Sequence, residues 1–339
     1  MNFVKSVLAL ALLVFVTGCG KDDVNPTPRP EQFELYIDFW NPNGNDPQIS
    51  FDKENSSPEI RIDFSKTFAG IAVPPNFTNV IIENVRLIDE NNINYRIDEI
   101  NAYEWREDIN DWKQDVEFVM QFNQVQDIAV VLVLDASASL GDDFETIKNY
   151  ANEFIAQILL QNTNAQIGIV SFSDQISSFG MTNNHTALNS YIESIEQGPF
   201  TSMYEAMDAG ITMLLNINAE SKAILTFTDG TDNNSGPGFT PASIIEKLGS
   251  DPNDAGITSF TIGLEGNGGV DKPVLEALAV NNGQAAFPNT LKELGEVFNG
   301  FSESISTVYN LTYIRNQQVI PTTDPAKLRF VFESTPKQQ

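Results

Sequence analysis

Cysteine and histidine are nearly absent from the chain, and a glycine-rich phosphate loop is missing. The 339 residues include one cysteine, Cys19, and one histidine, His185. A single cysteine excludes a disulfide within the chain. His185 lies in a polar turn without a catalytic signature, so we interpret it as an exposed loop residue. Because no nucleophile with its base is evident, the chain is predicted not to be an enzyme.

Basic residues are also scarce. Lys and Arg number 19 against 46 Asp and Glu, which gives a formal net charge of -27 at pH 7. No basic stripe is available to displace counterions from phosphates, so the composition argues against nucleic-acid binding. It argues equally against a surface that rests on anionic lipid. Such acidity favours solubility and the accumulation of cations near the surface.

The N-terminal apolar stretch, residues 7–16, follows Lys5 and is too short to span a bilayer. A basic residue before a short apolar run is typical of a signal sequence, here residues 1–18. Residues 16–19 (VTGC) resemble the lipobox of bacterial lipoproteins. The resemblance implies that Cys19 carries a lipid and that the membrane is contacted only through this anchor. The alternative is an ordinary secretory signal followed by an idle cysteine.

The residues after Cys19 indicate where the chain is displayed. Residues 20–23 (GKDD) resemble the surface-export signal of Bacteroidetes lipoproteins, which implies an outer membrane lipoprotein exposed on the cell surface. An acidic, solvated linker is the alternative. Residues 24–31 contain three prolines and are typical of a semi-rigid tether, so residues 19–31 are predicted to be lipidated cysteine plus tether.

Residues 32–125 alternate between apolar and polar side chains with period two, and turn-rich segments separate the alternating runs. Several short strands of this kind predict a β-sandwich. Alternating strands return in residues 309–335. Because two strands cannot hold a core alone, we expect them to complete the N-terminal sandwich. The segment between, residues 126–308, is then inserted in the sandwich. The alternatives are a C-terminal hairpin that packs elsewhere and a separate small module.

Residues 126–308 alternate between buried strands and amphipathic helices, which predicts an α/β fold with a doubly wound, mostly parallel sheet. The predicted strands are residues 128–134, 166–172, 223–227, 258–263 and 285–287. The predicted helices are residues 143–160, 188–195, 203–215, 241–248, 273–279 and 291–306.

Oxygen-bearing residues follow three of these strands or lie in loops between them. Asp135, Ser137 and Ser139 come directly after the buried run 128–134, and Thr201 and Asp229 lie in later loops. Open α/β sheets place their ligand sites at the carboxyl ends of the strands. Hard oxygen donors without sulfur or imidazole suit Mg²⁺, Mn²⁺ or Ca²⁺ rather than zinc or copper.

At these residues the chain resembles the von Willebrand factor type A (vWA) domain with its metal-ion-dependent adhesion site. The resemblance covers residues 126–308. Residues 135–139 (DASAS), Thr201 and Asp229 match its three metal loops, although the family often has Gly-Gly where this chain has Pro199 and Phe200. That departure leaves the shape of the second loop open.

The resemblance implies one divalent ion, Mg²⁺ before Mn²⁺ or Ca²⁺. Asp135 is then the main anionic ligand, and Asp229 makes contact through water. The neutral oxygens come from Ser137, Ser139 and Thr201. A degenerate domain that keeps the fold and binds no metal is the alternative.

These patterns together predict a surface-tethered adhesion lipoprotein that binds an Asp or Glu of a protein ligand through the metal. The alternative is a subunit of an envelope complex for uptake, secretion or gliding. A third interpretation is a structural lipoprotein whose metal only rigidifies loops, and metal-assisted hydrolysis also stays open. Phe200 is a candidate contact residue. Asp232 and Asn233 are interpreted as solvated loop residues, and the alternative is that they shape the rim of the site.

Overall fold

The structure is a computed structural model. It describes residues 33–40, 48–51, 60–63, 66–70, 79–89, 94–106, 108–115, 119–125, 127–250, 256–265, 269–306, 308–314 and 327–336. The predicted signal sequence, Cys19 and tether lie outside the described residues. Among the residues described, no helix is both long and apolar enough to cross a membrane.

The N-terminal part forms strands that pair antiparallel. They are β1 Phe33–Trp40, β2 Gln48–Phe51, β3 Ile60–Asp63, β4 Lys66–Gly70, β5 Asn79–Asp89, β6 Asn94–Arg106, β7 Asp111–Gln114 and β8 Val119–Gln124. The first half of β5 pairs with β4, and its second half pairs with β3 and β6. Residues 79–89 therefore form one long strand that pairs on both sides of its midpoint.

Strands and helices alternate in the next part, as the sequence predicts. The elements are β9 Ile128–Asp135, a 3-10 helix Ala138–Asp143, α1 Phe144–Gln161, β10 Gln166–Phe172, β11 Ile176–Thr182, α2 His185–Glu193, α3 Met203–Leu215, β12 Ser221–Thr228, α4 Pro241–Leu248, β13 Thr258–Gly263, α5 Lys272–Leu278, β14 Ala285–Ala286 and α6 Leu291–Ser306.

These strands form one six-stranded sheet in the order β11-β10-β9-β12-β13-β14. Every pairing is parallel except that of β10 with β11. The chain leaves β9 toward β10 on one side and later returns to β12 on the other side. The predicted fold class, a doubly wound and mostly parallel α/β sheet, is confirmed.

The central strand β9 is buried on both faces because helices cover both sides of the sheet. Alternate residues from Ile128 to Leu134 pack in one core with α1 and α6, and the residues between them pack in a second core with α3. In the first core, Phe298 of α6 lies 6.0 Å from the rings of both Phe154 and Phe227. This packing fixes the strand ends that carry the loops.

The structure differs from the sequence prediction in one missing strand and in the bounds of one helix. Strand β11 was not predicted, because its serines face solvent and it pairs only at the sheet edge. Helix α2 begins at His185 rather than at residue 188, since the side chain of Asn184 accepts a hydrogen bond from the backbone N–H of Ala187. His185 is exposed, as expected, but it starts a helix and is not a loop residue.

Two C-terminal strands, β15 Tyr309–Ile314 and β16 Lys327–Pro336, pair with N-terminal ones. Strand β15 lies between β5 and β8, and β16 lies between β1 and β6. The described strands of this second sheet number ten, and all their pairings are antiparallel. The backbone N–H of Val125 donates to the carbonyl of Val308 at 2.8 Å, so the two connections to the α/β part run side by side.

Candidate metal site

The candidate site lies where β9 and β12 end beside each other. Asp135 is the last residue of β9, and Asp229 follows directly after β12. The two strands are parallel neighbours with Leu134 opposite Phe227. The chain reverses its winding direction between these strands, and open α/β sheets place ligands at the carboxyl ends of strands at such a switch point.

Three oxygen atoms converge at this edge. The hydroxyls of Ser137 and Ser139 lie 2.9 Å apart, and Asp229 Oδ1 accepts hydrogen bonds from Ser139 at 2.8 Å and from Ser137 at 3.3 Å. An octahedral shell with bonds of about 2.0–2.1 Å has edges of roughly 3 Å, which is the geometry that Mg²⁺ demands. The three atoms are therefore spaced like one face of such a shell.

Asp135 is completely buried and is held by two donors. Its Oδ1 accepts from the backbone N–H of Ser137 at 2.7 Å, and its Oδ2 accepts from the hydroxyl of Thr228 at 2.5 Å. The sequence reasoning did not single out Thr228. Strand β12 also contains Ser221, Lys222 and Thr226, so a polar residue in this strand did not by itself indicate a site.

Among the described residues, no basic side chain pairs with the carboxylate of Asp135 or Asp229. Burial raises the pKa of Asp135 to about 6, although hydrogen bonds from Thr228 and Ser137 act in the opposite direction. Burial also raises the pKa of Asp229, against the hydrogen bonds from Ser139 and Ser137. Two buried carboxylates that lack a counter-charge would be stabilised by a bound divalent cation.

Thr201 lies in the loop before α3, the second loop of the site. Backbone hydrogen bonds join it to the first loop, which follows β9. The carbonyl of Gly198 accepts from the N–H of Ala138 at 2.7 Å, and the N–H of Gly198 donates to the carbonyl of Ala136 at 2.9 Å. Thr201 is buried, and its hydroxyl lies 3.7 Å from where a Cβ on Gly230 would be. The structure thus places Thr201 beside the residue that follows Asp229.

The Pro199–Phe200 departure does not stop Thr201 from reaching this edge. Phe200 is 49% exposed, and among the described residues only two other large apolar side chains, Ile109 and Leu160, are exposed. Its surface position agrees with the prediction of a contact residue. Contact with a ligand stays a prediction.

The interpretation of Asp232 and Asn233 as merely solvated loop residues is wrong. Asn233 Oδ1 accepts from the backbone N–H of Thr201 at 3.0 Å, and Asp232 Oδ2 accepts from the N–H of Tyr204 at 2.9 Å. Both side chains therefore hold the second loop. These contacts could not be predicted from the sequence, because the partners lie 28 and 32 positions away.

The donor set fits a small, hard cation. The described part of the chain has no cluster of three or more His, Cys, Asp or Glu side chains suited to a metal. The site instead pairs the carboxylates of Asp135 and Asp229 with hydroxyls. Oxygen ligands of this type suit Mg²⁺ and Mn²⁺. The residues present therefore fit the ion that the sequence predicts.

The sequence profile of the von Willebrand factor type A domain matches residues 129–299, half of the chain, and the chain belongs to this family. No curated protein sequence matches the chain.

Several solved structures have a similar fold. Proximal thread matrix protein 1 from the mussel byssus, with a zinc-occupied MIDAS motif, is 14% identical over 59% of this chain and 50% of that one, with a TM-score of 0.47. The vWF domain of the type V pili tip protein Mfa5 from Porphyromonas gingivalis is 13% identical over 54% of this chain and 96% of that one, with a TM-score of 0.44. A von Willebrand factor type A structure from Catenulispora acidiphila is 12% identical over 72% of this chain and 68% of that one, with a TM-score of 0.45. The chain spans about half the length of the mussel structures that it matches.

Proposed function

We propose that the chain is a surface-tethered binding protein whose vWA domain holds a divalent cation, Mg²⁺ first, and engages an Asp or Glu of a protein ligand through it. The observation that carries the proposal is the convergence of oxygens from Ser137, Ser139 and Asp229 beside the buried carboxylate of Asp135. Thr201 would supply a further neutral oxygen. When bound, the ion supplies positive charge and coordination positions that exchange water.

Access to the site supports a role in binding. Ser139 is exposed, whereas Ser137, Asp135 and Asp229 are buried, so the site opens to solvent on one side. A ligand carboxylate that approaches from this side could replace a water on the ion. Local attraction to a divalent cation outweighs the diffuse acidity of the chain, because a bound cation is the largest charge in its site.

Carboxylate exchange is expected to be visible in the Mn²⁺-loaded chain. N-acetyl-aspartate methylamide should lower the enhancement of water proton relaxation by Mn²⁺, because its carboxylate displaces a bound water. The asparagine analogue should leave the enhancement unchanged. Ser139→Ala should weaken Mn²⁺ binding about 10-fold or more. Ser178→Ala, which removes an exposed serine hydroxyl from β11, is the matched control and should have no effect.

The outcomes separate the interpretations of the site. If the parent chain does not bind Mn²⁺, the metal site itself is refuted. Mn²⁺ binding without displacement by the aspartate probe would remove the carboxylate-binding role and leave an ion that only rigidifies the loops. An equal response to the asparagine probe would show that the effect is unrelated to the carboxylate.

We also propose that the α/β domain, residues 126–308, is inserted between two parts of one β domain, residues 32–125 and 309–335. The pairing of β15 and β16 with N-terminal strands supports this arrangement. Gln124 lies opposite Tyr309 in the sheet, so the chain would enter and leave the inserted domain at neighbouring points.

Anchoring at Cys19 in the outer membrane, with the chain on the cell surface, is proposed on the sequence around that residue. Metabolic labelling with an alkyne fatty acid should mark the parent chain, and Cys19→Ala should remove the label because no other cysteine is present. Protease added to intact cells should degrade the anchored chain. Labelling that persists in Cys19→Ala contradicts the anchor, and protection from protease contradicts surface display.

A further inference from the structure

The N-terminus of α3 is capped by a loop from elsewhere in the chain. Ser202 occupies the N-cap position, but its side chain makes no capping hydrogen bond. The N–H of Tyr204 donates instead to Asp232 Oδ2 at 2.9 Å, and the N–H of Glu205 donates to Ser235 Oγ at 3.1 Å. The first N–H groups of a helix need acceptors, and here the loop after β12 provides them.

The same loop holds Thr201 at two points. Thr201 N–H donates to Asn233 Oδ1, and Asn233 N–H donates to the Thr201 carbonyl, each at 3.0 Å. Asn234 Nδ2 adds a hydrogen bond of 2.8 Å to the hydroxyl of Ser202. We call residues 232–235 the clamp.

The clamp is itself a connected unit. Asp232 Oδ1 accepts from the N–H of Ser235 at 3.1 Å, and Asp232 Oδ2 accepts from the Ser235 hydroxyl at 2.6 Å. It begins three residues after Asp229, so it joins the loop of one proposed ligand to the loop of another, Thr201. The distance between these two loops is therefore set by the clamp rather than by the sheet alone.

We propose that Asn233 is a positioning residue that makes the site prefer Mg²⁺ over Ca²⁺, an inference that rests on the proposed metal site. Mg²⁺ demands near-ideal octahedral geometry at about 2.0–2.1 Å, whereas Ca²⁺ accepts 6–8 oxygens at about 2.3–2.6 Å in flexible arrangements. A Thr201 fixed at its backbone on both sides suits the smaller ion. Release of the Thr201 N–H loosens the second loop and favours the larger ion.

The test compares two asparagine variants. Asn233 contacts the loop before the N-terminus of α3, and Asn216 follows the C-terminus of that helix. Asn233→Ala removes the acceptor for Thr201, and Asn216→Ala removes a comparable hydrogen bond of 2.9 Å to the Thr212 carbonyl. Both asparagines are exposed. By calorimetry, Asn233→Ala should weaken Mg²⁺ binding about 10-fold, which is typical of the loss of a hydrogen bond to a metal ligand. It should weaken Ca²⁺ binding much less. Asn216→Ala should leave the Mg²⁺-to-Ca²⁺ affinity ratio unchanged.

A second readout needs no metal. Amide hydrogen exchange of the metal-free chain should be faster at Thr201 in Asn233→Ala than in the parent, and unchanged there in Asn216→Ala. Asn233→Asp keeps an oxygen that accepts from Thr201, so it should restore both slow exchange and the ion preference.

Each result decides between the claims. No ion binding by the parent removes the proposed metal site, and the inference falls with it. If the parent binds Mg²⁺ and Asn233→Ala keeps the parent's Mg²⁺-to-Ca²⁺ ratio, the inference alone is overturned, even where exchange at Thr201 is faster. A fall in the ratio that Asn216→Ala shares would likewise overturn it, because the effect would follow helix stability.

Discussion

Asp135→Asn is expected to abolish Mg²⁺ binding and at the same time to stabilise the metal-free protein. Asparagine has nearly the same shape, and its oxygen can still accept from the N–H of Ser137. The substitution removes a buried carboxyl group whose pKa is raised to about 6, and with it the buried negative charge. We expect Mg²⁺ affinity to fall by more than the roughly 10–100-fold that is lost when a residue hydrogen-bonded to a metal ligand is replaced. Calorimetry with Mg²⁺ and chemical unfolding in EDTA measure the two effects.

The pH dependence gives the sign of the charge effect. The pKa of Asp135 is raised from 3.8 in the unfolded chain to about 6 in the folded one, so the folded state binds the proton more tightly. The resulting stability is fully present below pH 4 and is lost as pH rises through 6. The loss is on the order of 3 kcal/mol at pH 7. The difference in stability between Asp135→Asn and the parent in EDTA should therefore grow from pH 4 to pH 7. A variant that is less stable than the parent at pH 7 would contradict this account of Asp135.

Gly198→Ala is expected to separate the first two loops. A Cβ on Gly198 would lie 2.3 Å from the hydroxyl of Ser173 and 2.8 Å from its Cβ. The hydroxyl can rotate away, but the Cβ is held by the backbone, since the carbonyl of Ser173 accepts from the N–H of Ser202. We expect a loss of about 1–3 kcal/mol in unfolding free energy, as for overpacked sites. Mg²⁺ affinity should fall about 10-fold or more.

Gly180→Ala is the matched control, because nothing lies within 4 Å of a Cβ at that glycine in β11. Its effect on unfolding should stay within about 0.5 kcal/mol, and Mg²⁺ affinity should not change. If Gly198→Ala binds Mg²⁺ like Gly180→Ala, the backbone bonds between the loops do not hold the site together.

The elements that the sequence predicted well carry their own local signals. Helices Met203–Leu215, Pro241–Leu248 and Leu291–Ser306 have the predicted bounds. For α4 the reason is visible: Thr240 and Ser243 form a capping box, and a proline occupies the first helical position. Strand β11 carried no such signal, since an exposed edge strand has no apolar run.

The residues of the candidate site also differ in whether the sequence could predict them. Its five residues could be found because each stands at the end of a strand or in a motif that resembles a known family. Thr228 and Asn233 could not, because their roles depend on hydrogen bonds to partners 93 and 32 positions away. Such contacts exist only once the sheet has brought the loops together.

Anomalous diffraction from crystals of the chain grown with Mn²⁺ tests the central claim most directly. We expect one strong peak at the carboxyl ends of β9 and β12, within about 2.2 Å of the hydroxyls of Ser137 and Ser139. Asp229 should lie in contact with it, directly or through one water. No peak at this edge, or a peak bound only by other residues, would contradict the account.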